Sequence, residues 1–311
     1  METKIIDRYP NGWFKFAFSK ELKKGKILSV KKFGQEFVLY RGDNTNINVF
    51  DAYCPHMGAH LGFEGKIVKN NIRCPFHGWV FNDEGELIEV PGTKTCPAKS
   101  NLKRFEVCEF DGAIYVWFHK EGKIPFYNLE KLVAHDPNVY MGPKFVKRDL
   151  KIHIHETIDN LVDRAHLTVI HKTMKKSSTY EVIELDEHRL NLKFNVVLNI
   201  FGKLKGSDFN TIICGIGHAR VRVKSLLEFD VVSVPTPIDE DHTAFDLMIF
   251  LKKTRFPLIN WLFMKYIHFN VIKDTELEMK IIEKKKFLQG PHLSLADGPI
   301  AKVRKWSQRF Y

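Results

Sequence analysis

The sequence predicts an α+β protein with two domains, residues 1–125 and 126–311. Three observations support this fold class. Up to about residue 120, short alternating apolar and polar runs are separated by turn signals, which is typical of a small all-β domain. Between residues 180 and 252, longer alternating runs indicate a larger antiparallel sheet. Residues 257–286 have helical character, so the second domain combines helices with that sheet.

Short strands are predicted throughout the N-terminal domain. Asp83–Gly85 and Asp111–Gly112 are predicted turns. After Gly122 the chain becomes irregular and contains proline as far as about Lys144, which is typical of a linker. The predicted strands lie in the runs KILSVKKFGQEFVLYRGD, NINVFDAYC, GKIVKNNIRC, GWVFNDEGEL and AIYVWFHK.

The C-terminal domain begins, over Lys151–His171, with one predicted strand followed by one helix. Its antiparallel sheet is predicted from the runs RLNLKFNVVLNIF, HARVRVKSLLEFDVVSV and TAFDLMIFLKK. These runs are long enough to span a large sheet, and each alternates apolar with polar residues.

The most apolar stretch of the chain is Phe256–Ile272, FPLINWLFMKYIHFNVI. It falls short of the roughly 18 uninterrupted apolar residues of a membrane-spanning helix. We interpret it as a mostly buried helix, and a helix that touches a membrane surface is the alternative. The polar residues that interrupt it are Asn260, Lys265, His268 and Asn270.

The composition argues against a disordered chain. Hydrophobic residues make up 44% of the 311 residues and aromatic residues 13%, which is enough for a substantial core. The formal net charge of +11 is spread along the chain, which indicates a solvated basic surface or an acidic protein partner. We expect no nucleic acid partner, because no binding motif accompanies the charge.

Five cysteines are too few for a disulfide framework, which favours a reducing compartment and a cytoplasmic location. Cys96, Cys108 and Cys214 are interpreted as small buried residues. The N-terminal segment METKIIDRYPNGWF lacks the apolar core of a signal sequence.

Two mixed Cys-His pairs lie close together in the N-terminal domain. Cys54 and His56 are separated by one residue, Cys74 and His77 by two, and 17 residues lie between the pairs. Zinc fingers instead separate a Cys pair from a His pair, so a zinc-stapled pair of loops is the weaker alternative. A mixed pair on each of two loops suits a 2Fe–2S cluster with thiolates on one iron and imidazoles on the other.

In that arrangement Cys54 and Cys74 bind the inner iron. His56 and His77 bind the outer iron, which faces solvent or a partner, and imidazole ligands raise its reduction potential above that of all-Cys clusters. The segments CPHMGAHL and CPFHGW resemble the Rieske 2Fe–2S signature. His60 is not a ligand in this signature, and we interpret it as a local hydrogen-bonding residue.

A second metal site is indicated by HETIDNLVDRAHLTVIHK, residues 155–172. His166 and His171 are five residues apart, which places them about 140° apart on a regular helix. Both can bind one metal only if the helix ends or bulges between them. Two histidines and a carboxylate are the ligands of non-haem Fe(II) oxygenases, which leave positions for O₂. Taken alone, a histidine pair in a helix is more often structural.

This stretch resembles the catalytic motif of the Rieske non-haem iron oxygenases. Asn160, Asp163, His166 and His171 match that motif position by position. The resemblance implies that His166 and His171 bind Fe(II). It implies that Asp163 hydrogen-bonds to His166 and bridges electrons from a cluster histidine of a neighbouring subunit. For Asn160 it implies an active-site role, and a helix cap or a polar surface position is the alternative.

The third iron ligand is expected to be a downstream carboxylate. In the family an acidic residue near the start of the late helix fills this role, and Asp274 follows the apolar stretch directly. Asp274 is therefore favoured over Glu276, Glu278 and Asp297. A favourable interaction with the helix dipole is the competing explanation for such a residue.

Most of the sequence resembles the cholesterol 7-desaturases of the Neverland type and, less closely, the oxygenase components of the 3-ketosteroid 9α-hydroxylases. The segments NGWF, FDAYCPHMGAHLG and CPFHGW carry the resemblance, and the ending ADGPIAKVRKWSQRFY resembles the steroid-active branch. The resemblance implies a Rieske domain followed by a helix-grip (START-like) catalytic domain. It also implies a monooxygenase or desaturase for a hydrophobic, sterol- or steroid-like substrate.

The implied cofactors are a 2Fe–2S cluster and Fe²⁺, with O₂ as co-substrate and NADH or NADPH acting through a ferredoxin or flavin reductase. The resemblance implies that the two sites of one subunit lie too far apart for electron transfer, and therefore a head-to-tail homotrimer. Three alternatives stay open. They are the same chemistry on an aromatic or natural-product substrate, a Rieske electron carrier, and a lipid-binding protein.

Overall fold

The computed structural model describes residues 6–171, 180–200 and 203–311. Two compact units are formed, one by Phe14–Phe126 and the other by Met1–Trp13 together with Tyr127–Tyr311. Two sequence predictions fall partly outside the described residues. They concern residues 1–5 of the N-terminal segment that lacks a signal sequence, and Phe201 at the end of a predicted strand.

Small sheets build the first unit, Phe14–Phe126. Its elements are β1 (Gly12–Phe18), a 3-10 helix (Ser19–Glu21), β2 (Ile27–Lys32), β3 (Gln35–Arg41), β4 (Ile47–Asp51), β5 (Lys66–Val68), β6 (Asn71–Arg73), β7 (Val80–Phe81), β8 (Leu87–Glu89), β9 (Val107–Phe110) and β10 (Ala113–Phe118). The sheet orders are β1-β10-β9, β2-β3-β4 and β5-β6-β7-β8. Each of the five predicted runs contains at least one strand.

The apolar core of the first unit reaches the two predicted cluster cysteines. Cys54 and Cys74 are only 2% and 3% exposed and belong to the same buried cluster as Leu61, Trp79 and Phe81. Burial among apolar side chains keeps water from these thiols, which suits ligands of a metal cluster. Of the other cysteines, Cys214 is buried, but Cys96 is exposed and Cys108 half-buried, so the burial prediction is wrong for those two.

An antiparallel sheet and a long helix dominate the second unit. Its elements are α1 (Leu129–Val133), β11 (Tyr140–Val146), β12 (Asp149–Leu150), α2 (His155–Val162), α3 (Arg164–Val169), β13 (Tyr180–Asp186), β14 (Arg189–Ile200), β15 (Lys203–Cys214), β16 (His218–Lys224), β17 (Glu228–Pro237), β18 (Thr243–Lys252), α4 (Pro257–Ile282), a 3-10 helix (Leu295–Asp297), α5 (Ile300–Ser307) and a 3-10 helix (Gln308–Phe310). The strand order is β11-β18-β17-β16-β15-β14-β13, and β12 pairs with β18. These elements confirm the α+β fold class.

One face of this sheet packs against α4. Leu247, Ile249 and Leu251 alternate along β18 and share a buried cluster with Met264 and Ile267 of α4. Alternate residues of a strand point to one face, so the sheet presents its apolar side to the helix. This is the helix-on-sheet layer that buries the core of the unit.

Farther along the sheet, a row of apolar side chains continues toward α3. In register, Phe194 pairs with Phe209, Phe209 with Val223, and Val223 with Phe229. Directly opposed residues of paired strands share a face, so these four side chains form one surface, which we call the apolar wall. Leu167 of α3 packs against it.

The single helix predicted within Lys151–His171 is two helices. Asp163 interrupts it with extended backbone angles, φ −71° and ψ 113°, between α2 and α3. Its side chain accepts hydrogen bonds from the backbone N–H groups of Ala165 and His166 at 2.8 and 3.2 Å, so it caps α3. An aspartate satisfies the first N–H groups of a new helix, which explains why the chain breaks here.

The prediction of a mostly buried helix over Phe256–Ile272 is wrong. The helix exists, with Pro257 at its first position, but Leu258, Trp261, Leu262 and Phe269 are exposed. Apolar composition alone does not reveal which face of a helix a sheet will cover. Among the described residues, none of the helices is both long enough and apolar enough to cross a membrane.

Candidate metal centres

The two loops that carry Cys54 and Cys74 have the same backbone hydrogen-bonding pattern. In each, the carbonyl oxygen of the cysteine accepts a hydrogen bond from the glycine four residues later, Gly58 at 2.9 Å and Gly78 at 3.2 Å. Both glycines have φ of +74°, a left-handed conformation that costs glycine little. The turns close each loop tightly behind its cysteine, so Cys54 and Cys74 lie in equivalent positions.

The two cysteines belong to one buried cluster and lie close enough for one thiol to affect the ionisation of the other. Burial, together with the neighbouring Cys74, raises the pKa of the Cys54 thiol to about 11, although the N–H groups of His56 and Met57 lower it. A buried thiol with a raised pKa becomes a thiolate when a cation compensates the charge. The thiol pair therefore fits the inner iron of a cluster.

The two histidines of the loops lie side by side at the surface. The ring centroids of His56 and His77 are 4.6 Å apart, and both side chains are exposed. His56 also stacks on Trp79 with a centroid distance of 4.4 Å and an interplanar angle of 8°. Two buried thiols and two adjacent exposed imidazoles are the donor set of a histidine-ligated 2Fe–2S cluster. His60 accepts a hydrogen bond from the Gly62 N–H at 3.1 Å and so has the local role predicted for it.

The second site is formed by α3, the segment after it, and α4. The helix α3 ends at Val169, between His166 and His171, so their side chains can converge as the five-residue spacing required. Their ring centroids are 5.4 Å apart. Among the described residues, His166, His171 and Glu278 form the group whose ligand atoms all lie within 4.8 Å of one another.

A single carboxylate oxygen lies at the centre of this group. Glu278 Oε1 is 3.1 Å from His166 Nε2 and 3.4 Å from His171 Nε2. It also accepts a hydrogen bond of 2.7 Å from Asn160 Nδ2. Two imidazole nitrogens and a carboxylate around one point are the donors expected for mononuclear Fe²⁺.

The electrostatics of Glu278 match an ionised ligand. Burial by itself would raise the pKa of this carboxyl, but hydrogen bonds and charge from His166 and His171 outweigh it and bring the pKa to about 2. Burial likewise acts to lower the pKa of His171, and the contact with Glu278 raises it instead. The three residues therefore fit a divalent metal both in charge and in donor chemistry.

The other candidate carboxylates lie outside this group. Asp274, which the sequence favoured, is exposed one turn before Glu278 on α4, close enough for its charge to raise the pKa of His171. Glu276 forms an exposed ion pair of 3.0 Å with Lys280. Asp297 accepts a hydrogen bond of 2.6 Å from the Ser294 N–H in a local cap.

Asp163 lies beside the iron-ligand candidate His166. Its Oδ1 caps α3, while Oδ2 is 3.7 Å from His166 Nδ1, a buried atom that makes no hydrogen bond within the described residues. Metal-bound histidines generally donate their second ring N–H to a carboxylate or carbonyl oxygen. Asp163 is the carboxylate placed to accept this hydrogen bond, provided that Oδ2 and Nδ1 move closer than their present 3.7 Å.

Sequence reasoning missed the contacts that hold α2 in place. Arg304 of α5 forms an ion pair through its guanidinium with both carboxylate oxygens of Asp159, with Nε at 3.1 and 3.0 Å. Burial alone would raise the pKa of Asp159, but hydrogen bonds from His155 and Arg304 hold it below its usual range. Ser307 lies 2.7 Å from the buried His155 ring. The C-terminal signature thus anchors the helix that carries Asn160.

The DGP turn, also in that signature, packs on the break at Asp163. Gly298 has φ of +78°, and a Cβ added there would lie 3.2 Å from Arg164 Cβ and 3.3 Å from the Val162 carbonyl oxygen. Glycine is required on both counts, since the backbone is left-handed and the approach is close. The signal for this contact was present in the sequence as the DGP tripeptide.

Two family models together match nearly the whole chain. The Rieske [2Fe-2S] domain matches residues 12–123, and the 3-ketosteroid 9α-hydroxylase C-terminal domain matches residues 116–311, which is more than half of the chain. The chain belongs to the Rieske non-haem iron oxygenases. This Rieske oxygenase is therefore an oxidoreductase that uses a 2Fe–2S cluster, Fe²⁺, O₂ and NAD(P)H through a reductase, and the family resemblance is confirmed.

Curated relatives of this Rieske oxygenase include sterol-modifying enzymes. Cholesterol 7-desaturase nvd 2 of Ciona intestinalis is 28% identical over 97% of this chain and 72% of the relative. Cholesterol 7-desaturase nvd of Bombyx mori is 28% identical over 100% and 71%. A probable 3-ketosteroid-9-alpha-monooxygenase oxygenase component of Rhodococcus rhodochrous is 31% identical over 54% and 43%.

Solved structures share the fold of this Rieske oxygenase. Dicamba monooxygenase bound to dicamba superimposes with a TM-score of 0.73, at 17% identity and 97% coverage of both chains. NdmB of Pseudomonas putida CBB5 superimposes with a TM-score of 0.74, at 16% identity, over 98% of this chain and 92% of that one. At these identities the likeness establishes the fold alone.

Proposed function

We propose that this Rieske oxygenase hydroxylates or desaturates a hydrophobic, sterol- or steroid-like small molecule. The observation that carries the proposal is the convergence of His166, His171 and Glu278 within 4.8 Å in a chain that also holds two Cys-His loops. The substrate class is supported by the cholesterol and 3-ketosteroid enzymes among the relatives and by the apolar wall beside α3.

We assign the ligands and the domains as follows. Cys54, Cys74, His56 and His77 hold the cluster in the domain of residues 1–125. The third Fe²⁺ ligand, in the domain of residues 126–311, is assigned to Glu278 rather than Asp274, because Glu278 Oε1 contacts both imidazoles. The other two Fe²⁺ ligands are His166 and His171.

The cluster supplies single electrons when bound, and Fe²⁺ supplies the reaction of O₂ with a substrate C–H bond. The protein's residues position and protect this chemistry. Asn160 orients the Glu278 carboxylate through its 2.7 Å hydrogen bond, and Asp163 orients His166. The apolar wall holds a hydrophobic substrate against α3 and excludes water from the site.

The need for electrons implies two kinds of protein partner, a reductase and further copies of this chain. A ferredoxin or flavin reductase delivers electrons to the cluster, and the exposed Met57 and Phe76 beside His56 and His77 suit a contact of this loop surface with the neighbouring subunit. Asp163 bridges electrons between subunits in a head-to-tail homotrimer, as the family resemblance implies. A cytoplasmic location, inferred from the cysteine content, belongs to this proposal as well.

The test is anaerobic loading with iron, followed by NADH, a surrogate reductase and O₂ in the presence of sterols, steroids and aromatic compounds. Mass spectrometry would detect a product that gains one oxygen atom or loses two hydrogen atoms. A product from a sterol or steroid is expected. Products from aromatic compounds alone would overturn the substrate class, and sterol binding without any oxygen consumption would indicate a lipid-binding protein.

A further inference from the structure

The N-terminal half of α4 carries an apolar stripe that faces solvent. Leu258, Trp261, Leu262 and Phe269 follow the spacing i, i+3, i+4 and i+11, which places them on one side of a helix. Their exposed fractions are 69%, 47%, 52% and 66%. We call these four residues the α4 stripe.

The opposite side of the same helix is covered by the sheet. Met264 and Ile267 are buried in the cluster with β18, so the sheet occupies that side and leaves the α4 stripe outward. Single exposed apolar residues are common on protein surfaces, but four on one side of one helix form a patch that marks an interaction surface.

The charged residues in the sequence around the stripe are basic, although Lys252 forms an ion pair of 3.0 Å with Glu228. From Leu247 to Lys273 the sequence contains no aspartate or glutamate, and its charged residues are Lys252, Lys253, Arg255, Lys265 and Lys273. Lys265 lies within the stripe itself, with its ammonium 3.7 Å from the centroid of the Trp261 ring. Next to the N-terminal end of the stripe, Arg255 lies over the Phe256 ring.

We propose that the α4 stripe docks this protein on the surface of an anionic lipid bilayer. Aromatic and leucine side chains with interspersed basic residues are the composition of helices that lie in the membrane interface. Trp261 suits the headgroup level, where tryptophan is enriched. Lys265 can extend to lipid phosphates while its methylene groups stay among apolar chains.

Lys265 also distinguishes a bilayer from a protein partner. The centre of a protein–protein interface is depleted of charged residues, and a lysine buried there without an anion is costly. At a bilayer surface the same lysine meets phosphate and carboxylate groups, which attract basic residues near anionic lipids. The positive surroundings are thus complementary to lipid headgroups rather than to a second copy of this equally basic chain.

The placement has a consequence for substrate access. The same helix carries Glu278, which lies about 14 Å beyond Phe269, the last residue of the stripe, along the helix axis. The stripe residues are exposed whereas Glu278 is buried on another side of the same helix, so docking through the stripe turns the metal-site carboxylate away from the headgroups. A hydrophobic compound dissolved in the bilayer would be concentrated next to the enzyme. Membrane docking itself does not depend on the identity of the substrate.

Vesicle co-sedimentation of the iron-loaded full chain tests the proposal. One set of vesicles contains equal parts phosphatidylcholine and phosphatidylserine, and the other contains phosphatidylcholine alone. We expect binding to the anionic set that weakens as salt is added. The double variant Trp261→Ser/Phe269→Ser should bind at least about tenfold more weakly, and Lys265→Glu should weaken binding to anionic vesicles specifically.

A matched control is Leu295→Ser, because Leu295 is fully exposed in the same unit but outside α4. It should bind anionic vesicles as the unchanged chain does, and the cluster absorption should be the same in all variants. Absent binding to anionic vesicles, or equal binding by the double variant, would overturn the proposal. A change of oligomeric mass in the double variant without any vesicle binding would do so too, and would assign the stripe to a protein interface. Vesicle binding is measured without any turnover, so a failure of the proposed oxygenase activity would not change how these binding results are interpreted.

Discussion

The Asn160 side-chain amide donates a 2.7 Å hydrogen bond to Glu278 Oε1, the oxygen that both imidazoles of the metal site contact. This bond ties α2 to α4, so two of the elements that build the site are fixed to one another. It also gives Asn160 a role that neither a helix cap nor a surface position would explain. Glu278 is consequently held from three sides before any metal is bound.

Glu278→Gln is expected to remove the mononuclear iron and leave the cluster. A neutral amide keeps the shape of the side chain but lacks the charge that a hard Fe²⁺ ion requires from its third ligand. Iron analysis combined with the cluster absorption spectrum separates the two centres. The loss should be about one iron per chain, with the cluster spectrum unchanged.

Asp274→Asn is the matched control for Glu278→Gln, since it makes the same charge change one turn away on α4. It should retain the mononuclear iron. If Asp274→Asn lost that iron while Glu278→Gln kept it, the ligand suggested by the sequence would be right and the assignment to Glu278 wrong.

Asn160→Ala is expected to weaken Fe²⁺ binding by about tenfold to a hundredfold, the usual effect of removing a partner that orients a metal ligand. Competition with a chelator measures it. The cause is loss of the hydrogen bond to Glu278, because the ligand atoms themselves remain. Unchanged iron affinity and unchanged turnover would show that Glu278 is positioned without Asn160.

Two variants separate the structural and electronic roles of Asp163. Asp163→Ala removes the cap of α3 and should lower the free energy of unfolding by about 1 kcal/mol, whereas Asp163→Asn keeps a capping oxygen and should cost little. Both remove the carboxylate next to His166 and should abolish turnover while leaving the Rieske spectrum intact. Near-normal turnover in stable Asp163→Asn protein would refute the electron-bridge role.

Gly298→Ala is expected to destabilise the second unit by more than about 1 kcal/mol. Its φ of +78° disfavours a side chain, and the new Cβ would press on Val162 and Arg164 at the break between α2 and α3. Gly290→Ala is the control, because nothing lies within 4 Å of a Cβ added there. Thermal unfolding of both variants measures the difference, and equal melting temperatures would contradict the packing role of Gly298.

Local patterns were sufficient to predict which of the proposed donors lie close together in space. Cys54, His56, Cys74 and His77 lie on two loops whose turns are formed by nearby residues, and the structure brings the paired donors together. His166 and His171 required the helix to end between them, and α3 ends at Val169. Such short-range geometry follows from spacing and turn chemistry.

Choosing among distant carboxylates needs tertiary information. Asp274 and Glu278 are four residues apart and therefore share a side of α4, separated by about 6 Å along the axis. Which of them meets His166 depends on how far α3 lies along α4, and that is set by packing of both elements on the sheet. The exposure of Trp261 and Phe269 was hidden for the same reason, since composition does not state which face is covered.

Metal analysis of the fully loaded protein tests the central claim, that a histidine-ligated cluster and a separate iron share this chain. We expect about three irons per chain with a Rieske electron paramagnetic resonance signal. In His166→Ala protein about two irons should remain, with that signal unchanged. Zinc in place of iron, or no iron beyond the cluster in the unaltered chain, would contradict the account.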